Sequence, residues 1–165
     1  MTLSIPRPTT RRLGALALVA ALSACGGGKP DAMYFAEPRA PQTALHPNET
    51  PELRALIQKY SRLYGVPEAL VHRVVIRESR HRPGARNGPY YGLMQILPAT
   101  ARGMGYRGEP AGLLDAETNL KYGVKYLRGA YMVADGNHDA AVKWYARGYY
   151  YEAKRKGLLE ATGLR

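Results

Sequence analysis

The sequence contains a single cysteine, Cys25, so no disulfide can close within the chain. It also lacks an apolar run long enough for a stable bilayer crossing. The longest, Leu13-Gly-Ala-Leu-Ala-Leu-Val-Ala-Ala-Leu22, falls well short of the roughly 20 residues needed to span about 30 Å of hydrocarbon. Nowhere does polarity alternate with a period of two over the length of a strand, which excludes a sheet-built domain and leaves a mainly α fold. The histidines His46, His72, His81 and His138 show no ligand spacing such as H-E-x-x-H, and neither a Gly-rich phosphate loop nor a G-x-S-x-G elbow occurs. No metal or organic cofactor is therefore expected. Long internal repeats and low-complexity domains are absent too, and 165 residues with 45% hydrophobic content suit one ordinary domain.

What is present begins with a targeting pattern. Arg7, Arg11 and Arg12 precede the apolar run, which then meets small residues and Cys25, as in a signal peptide over residues 1–24. Leu22-Ser23-Ala24-Cys25 resembles the bacterial lipobox, in which the cysteine becomes the lipidated first residue of the mature protein. The plain alternative is an incidental residue in an ordinary cleavage region. Acyl chains on Cys25 would hold the protein at a membrane, each buried CH₂ contributing about 0.8 kcal/mol. Acids are scarce: beyond residue 24 the chain keeps 21 basic against 13 acidic residues, a net charge of +8. Such a surface suits nucleic acid, anionic lipid or a carboxylate-bearing polymer, and export makes nucleic acid the least fitting of these.

From Cys25 to Glu49 the chain is rich in Gly, Pro and polar residues, with Pro30, Pro38, Pro41 and Pro47 interrupting any helical period, and reads as a flexible tether. The folded domain is expected over 50–165. Thr50 and Pro51 open a first helix that ends at Gly65, with Leu53, Leu56, Ile57, Tyr60 and Tyr64 at helical spacing. Pro67 opens a second helix through about Ser79. A loop marked by Pro83, Gly84, Asn87, Gly88 and Pro89 follows, and a short helix begins near Pro98. Asp115-Ala-Glu117 leads into a longer helix with Leu120, Val124, Leu127 and Tyr131 on one face, ending at Gly136. Helices over Asp139 to about Ala146 and Tyr149 to Lys156 complete the series.

Glu78 is the most informative residue. A helix advances about 100° per residue, which puts Glu78 on the side of Val71, Val74 and Val75. Desolvation on an apolar face disfavours the ionised carboxyl and raises its pKa, as a general acid requires. Helical phase alone leaves open a second reading, a solvated helix end in which Glu78 pairs with Arg77, Arg80 or Arg82.

The motifs that follow carry a resemblance. Glu78-Ser79, Tyr91-Gly-Leu-Met-Gln-Ile-Leu-Pro98, Asn119 with Gly123 and Tyr126-Leu127, and Trp144-Tyr-Ala-Arg-Gly148 are similar in order and spacing to the motifs of soluble lytic transglycosylases, over roughly Pro51 to Gly148. The resemblance implies a lysozyme-like helical domain with a glycan-binding cleft, acting on peptidoglycan. It makes Glu78 the only essential carboxyl group, first acid and then base, and places Ser79, Gly92, Met94 and Gln95 along the cleft. It also implies that the Tyr145 phenol points at the acid. From the residues alone, Met94 also fits the core, Ser79 a helix end, and Tyr145 ordinary packing among 13 tyrosines. Where the family's Ala-Tyr-Asn-Ala-Gly motif has Asn and Ala, this chain has Ala146 and Arg147, which puts substrate affinity and cleft shape in question.

The implied reaction cleaves the β-1,4 bond between N-acetylmuramic acid and N-acetylglucosamine and closes a 1,6-anhydro ring without water. Two other readings compete: a non-catalytic peptidoglycan-binding lipoprotein, and a lysozyme-type hydrolase using Asp115, Glu117 or Glu109 as a second carboxyl. Asp115 and Glu117 open a helix, where acids favour the dipole for structural reasons alone. Tyr90, Tyr91, Tyr106 and Tyr149 to Tyr151 offer flat faces for sugar rings or simple packing. The expected place is the periplasmic side of the cell envelope, lipid-anchored to a bacterial membrane, with peptidoglycan strands and envelope machinery as partners.

Overall fold

The computed structural model describes residues 44–164. The expected signal peptide, Cys25 and the expected tether up to residue 43 lie outside the described residues. Helix α1 (Pro51–Tyr64) starts where Thr50 Oγ1 accepts from Leu53 N at 3.2 Å, with Pro51 at the first helical position. Helix α2 (Glu68–Ser79) ends as Arg80 turns left-handed at φ 52° and takes the carbonyls of Val75 and Ile76. His81 follows at φ 59°, and these two successive left-handed residues swing the chain away from the helix axis.

A hairpin of two short strands, β1 (Arg86–Asn87) and β2 (Tyr90–Tyr91), comes next, pairing Arg86 with Tyr91 and Asn87 with Tyr90. The sequence shows no sign of these strands because two residues leave no room for alternation. Helix α3 (Pro98–Gly103) and a 3₁₀ turn (Pro110–Leu114) lead to α4 (Ala116–Val133), capped by Asp115 Oδ1 accepting from Thr118 N at 2.8 Å. Helix α5 (His138–Arg147) is capped by Asn137 and followed by α6 (Tyr150–Arg155) and α7 (Leu159–Thr162). The 3₁₀ turn and α7 were not legible in the sequence, each being too short for a helical period. The domain is mainly helical, as expected.

Helix α4 is the hub: Leu120, Val124, Leu127 and Ala130 are fully buried on the face that α5 and α1 cover. Burying each leucine contributes about 1.5–3 kcal/mol. A smaller cluster of Ile96, Ala101, Tyr106 and Leu113 lies beside it, under the loop that follows the hairpin. No described helix is long and apolar enough to cross a membrane. Packing begins ahead of residue 50: the Glu49 carboxylate is buried, paired with Arg54 at 2.6 Å, and takes the His46 backbone N–H at 2.9 Å. An ion pair formed across the helix start left no mark in a composition suited to a tether.

Candidate active site

The last turn of α2 carries Glu78 on the same side as Val71, Val74 and Val75, all buried. Its side chain is 23% exposed, and burial raises its pKa above the usual carboxylate range while the neighbouring Arg77 guanidinium, 3.5 Å away, partly opposes the shift. Among the described residues no hydrogen bond to the carboxylate competes with a proton there. Glu78 opens onto a cleft of about 660 Å³ walled by Tyr90 and Asn87 from the hairpin, Gln95 and Ile96 from the loop beyond it, Tyr126 from α4, and Tyr145 to Gly148 from the end of α5. Glu78 is the only carboxylate on that wall among the described residues.

The loop from Tyr91 to Ile96 owes its shape to Asn119. Its Oδ1 accepts from Met94 N at 2.9 Å, and its Nδ2 donates to Tyr91 O at 2.8 Å and to Leu113 O at 2.7 Å. One buried amide thus satisfies three backbone groups from two segments. Gly92 belongs to the same clasp: at φ 71° it is left-handed, and a Cβ there would sit 2.3 Å from Asn119 Nδ2. Met94 is fully buried, its sulfur filling the space that a side chain at Gly123 would take. Gln95 adopts φ 46°, and its amide donates to Gly92 O at 2.8 Å and Ala85 O at 3.1 Å while the residue lines the cleft.

Of the residues that the resemblance put in the cleft, Glu78, Gln95 and Tyr145 line it, and Ser79, Gly92 and Met94 do not. Ser79 is buried with its hydroxyl donating back to Val75 O at 3.2 Å, as a helix-end residue does. Gly92 and Met94 shape the loop from beneath. Tyr145 reaches the cleft wall, but its phenol donates to Met94 O at 2.8 Å rather than to Glu78. Burial holds that phenol's pKa well above its ordinary value, and the Glu78 charge pushes the same way. Tyr126, unmarked in the sequence beyond its motif position, packs edge-on against Tyr145 with ring centroids 5.4 Å apart and lines the cleft as well.

The other carboxyl candidates are engaged elsewhere. Asp115 caps α4, and Glu117, 48% exposed, pairs with Lys59 at 2.5 Å and accepts from Tyr60 at 3.1 Å. Neither these two nor Glu109 lines the cleft. Ala146 and Arg147 do, and the Arg147 guanidinium lies 3.7 Å over the Trp144 ring. Among the other tyrosines Tyr90 faces the cleft, Tyr106 donates to Glu109 O at 2.7 Å, and Tyr149 is buried with its hydroxyl on Tyr126 O. Tyr150 and Tyr151 border a separate recess beside Trp144. His46, His72 and His81, without a ligand motif in sequence, come together in space, and none of them lines the cleft.

A family model described as "Transglycosylase SLT domain" matches residues 55–159. No solved structure matches the chain.

Proposed function

The chain belongs to the SLT transglycosylase family, which indicates lytic transglycosylase activity on peptidoglycan, and from that premise we propose a single-carboxyl mechanism run by Glu78. The observation that carries it is the lone, half-shielded carboxylate in the cleft, its pKa raised by burial. Protonated Glu78 delivers its proton to the glycosidic oxygen between N-acetylmuramic acid and N-acetylglucosamine, and the leaving sugar departs with it. The substrate's own acetamido oxygen supports the developing cation, the recognised exception to the two-carboxylate arrangement. The Glu78 carboxylate then takes the proton of the muramic acid 6-hydroxyl as that oxygen closes on C1. The product is a 1,6-anhydro end, water is not consumed, and Glu78 is protonated again.

Tyr145 serves this scheme as a positioning residue. Its phenol proton is committed to Met94 O, so it fastens the Gln95 loop to α5 and keeps the wall opposite Glu78 in place. Gln95 stands where it can meet the glycan. We further propose that Cys25 carries the lipid that holds the enzyme at a bacterial membrane on the periplasmic side.

Mass spectrometry of the fragments released from purified sacculi tests the proposal. Anhydro ends support it, and reducing ends turn the chemistry to hydrolysis. Binding without release would favour a glycan clamp, the reading suggested by apolar Ala146 in the wall where the family has Asn.

A further inference from the structure

Two residues just ahead of α1 and one on α2 meet outside the set of residues that line the cleft. His46, Glu49 and His72 each offer a ligand atom, and these atoms lie within 4.8 Å of one another. We propose that they bind one divalent transition-metal ion of the zinc class, which ties the segment before α1 to the helix carrying Glu78.

The strongest sign is His72 Nε2. The side chain is 9% exposed, yet this nitrogen is shielded from solvent and makes no well-aligned hydrogen bond, only a long approach to Glu68. Such an orphan in a folded interior demands an explanation. It faces Glu49 Oε1 at 3.8 Å and Glu68 Oε1 at 3.5 Å. On the other side of the ring, Nδ1 lies 3.1 Å from His81 Nε2. With the proton on Nδ1, His72 donates to His81 and turns a bare lone pair towards two carboxylates. That arrangement is repulsive when nothing lies between and favourable around a cation. It is also how metal-bound imidazoles are set, one nitrogen ligating while the other donates to a fixed partner.

The distances suit a small ion. Bonds of 2.0–2.2 Å in a tetrahedral shell put ligand atoms about 3.4 Å apart. The His72–Glu49 separation of 3.8 Å is already close to that. The widest separation must close by roughly 1.4 Å, which half-buried His46 can supply by turning its ring on the exposed loop. Imidazole with carboxylate suits zinc over calcium or magnesium, which prefer oxygen-only shells. Arg54 opposes and helps at once. Its guanidinium, 2.6 Å from each Glu49 oxygen, orients the carboxylate and leaves Oε1, the oxygen facing His72, a lone pair for a metal, while its charge weakens any cation's hold. His46 N also donates to Glu49 Oε2. The affinity expected is therefore micromolar, below that of a dedicated structural zinc site. Glu68, 3.5 Å from His72 Nε2, stands outside the cluster of three.

The test is calorimetric titration of the untagged full chain with zinc, Cys25→Ser in every sample so that no thiol competes, joined to zinc X-ray absorption. The expected result is one ion per chain, two imidazole nitrogens in its shell, and a rise in Tm on the order of 10 °C when free zinc is about 100 times Kd. His46→Ala and His72→Gln should each weaken binding at least about 10-fold, and His81→Gln should do so by about 10-fold through the second nitrogen. Because buried His72 can be needed for folding, His46→Ala with an unchanged metal-free Tm decides alone if His72→Gln is not folded. Absence of saturable binding, or the same affinity in His46→Ala as in the parent, overturns the site.

Discussion

Replacing Tyr145 with Phe removes one oxygen and leaves the ring, so its consequences can be worked from a single bond. The phenol donates to Met94 O at 2.8 Å inside the fold. A neutral hydrogen bond is worth about 0.5–1.5 kcal/mol net, and a buried carbonyl left without a donor costs about 1–3 kcal/mol. The ring keeps its edge-on contact with Tyr126, so only a small void opens. The expected loss of stability is about 1–2 kcal/mol, or a fall in Tm of roughly 4–8 °C for a domain of this size. Because Met94 adjoins Gln95 on the cleft wall, turnover should fall more than strand binding. The discriminating readout is the pH profile. If the phenol only fastens the loop, Tyr145→Phe lowers the rate without moving the alkaline limb. Thermal unfolding and pH-dependent release from sacculi decide it together, and an unchanged Tm with a displaced alkaline limb would refute the loop-fastening role and return the phenol to Glu78.

Other predictions follow from the same geometry. Asn119→Leu strands Met94 N and Leu113 O and leaves Tyr91 O only its bond from Ile96 N, two buried groups at about 1–3 kcal/mol each, a large share of an ordinary domain's stability; a urea midpoint close to the parent's would contradict this. Asp115→Asn and Glu117→Gln should both retain turnover, since neither lines the cleft, and abolished cleavage in a folded variant would turn the mechanism towards two carboxyls. With a net charge of +8 beyond residue 24, raised salt should slow release from sacculi more than cleavage of short uncharged chito-oligosaccharides, because screening tightens to about 8 Å near 0.15 M; equal sensitivity would remove the electrostatic contribution. Cys25→Ser should free the protein from membranes, and a variant that still pellets under high salt would show another anchor.

Helices proved readable where caps and period coincided. Thr50-Pro51 and Asp115 cap α1 and α4, and the stripe from Leu120 to Leu127 is the buried face that the spacing indicated. The hairpin and 3₁₀ turn depend on tertiary bonds through Asn119, which no local pattern announces. In the site, Glu78 lies on the apolar side that helical phase placed it on, half-shielded as such a face requires. Motif membership could not separate residues that touch the cleft from those that build it. Ser79, Gly92 and Met94 sit in the same short motifs as Glu78 and Gln95, yet their side chains or backbone serve the fold. The histidine cluster was invisible because its members come from three separate stretches of chain.

Glu78→Gln tests the single-carboxyl mechanism most directly. The amide matches the carboxyl in shape but has no proton to deliver, and general acid–base catalysis contributes roughly 10²–10⁴-fold. Release of anhydro fragments from sacculi should therefore drop by at least about 100-fold while strand binding and Tm stay near the parent's. In the parent, burial raises the Glu78 pKa, so the protonated acid persists to higher pH and cleavage falls only as that pKa is passed. Retention of more than a few per cent of the parent rate by folded Glu78→Gln would contradict the assignment.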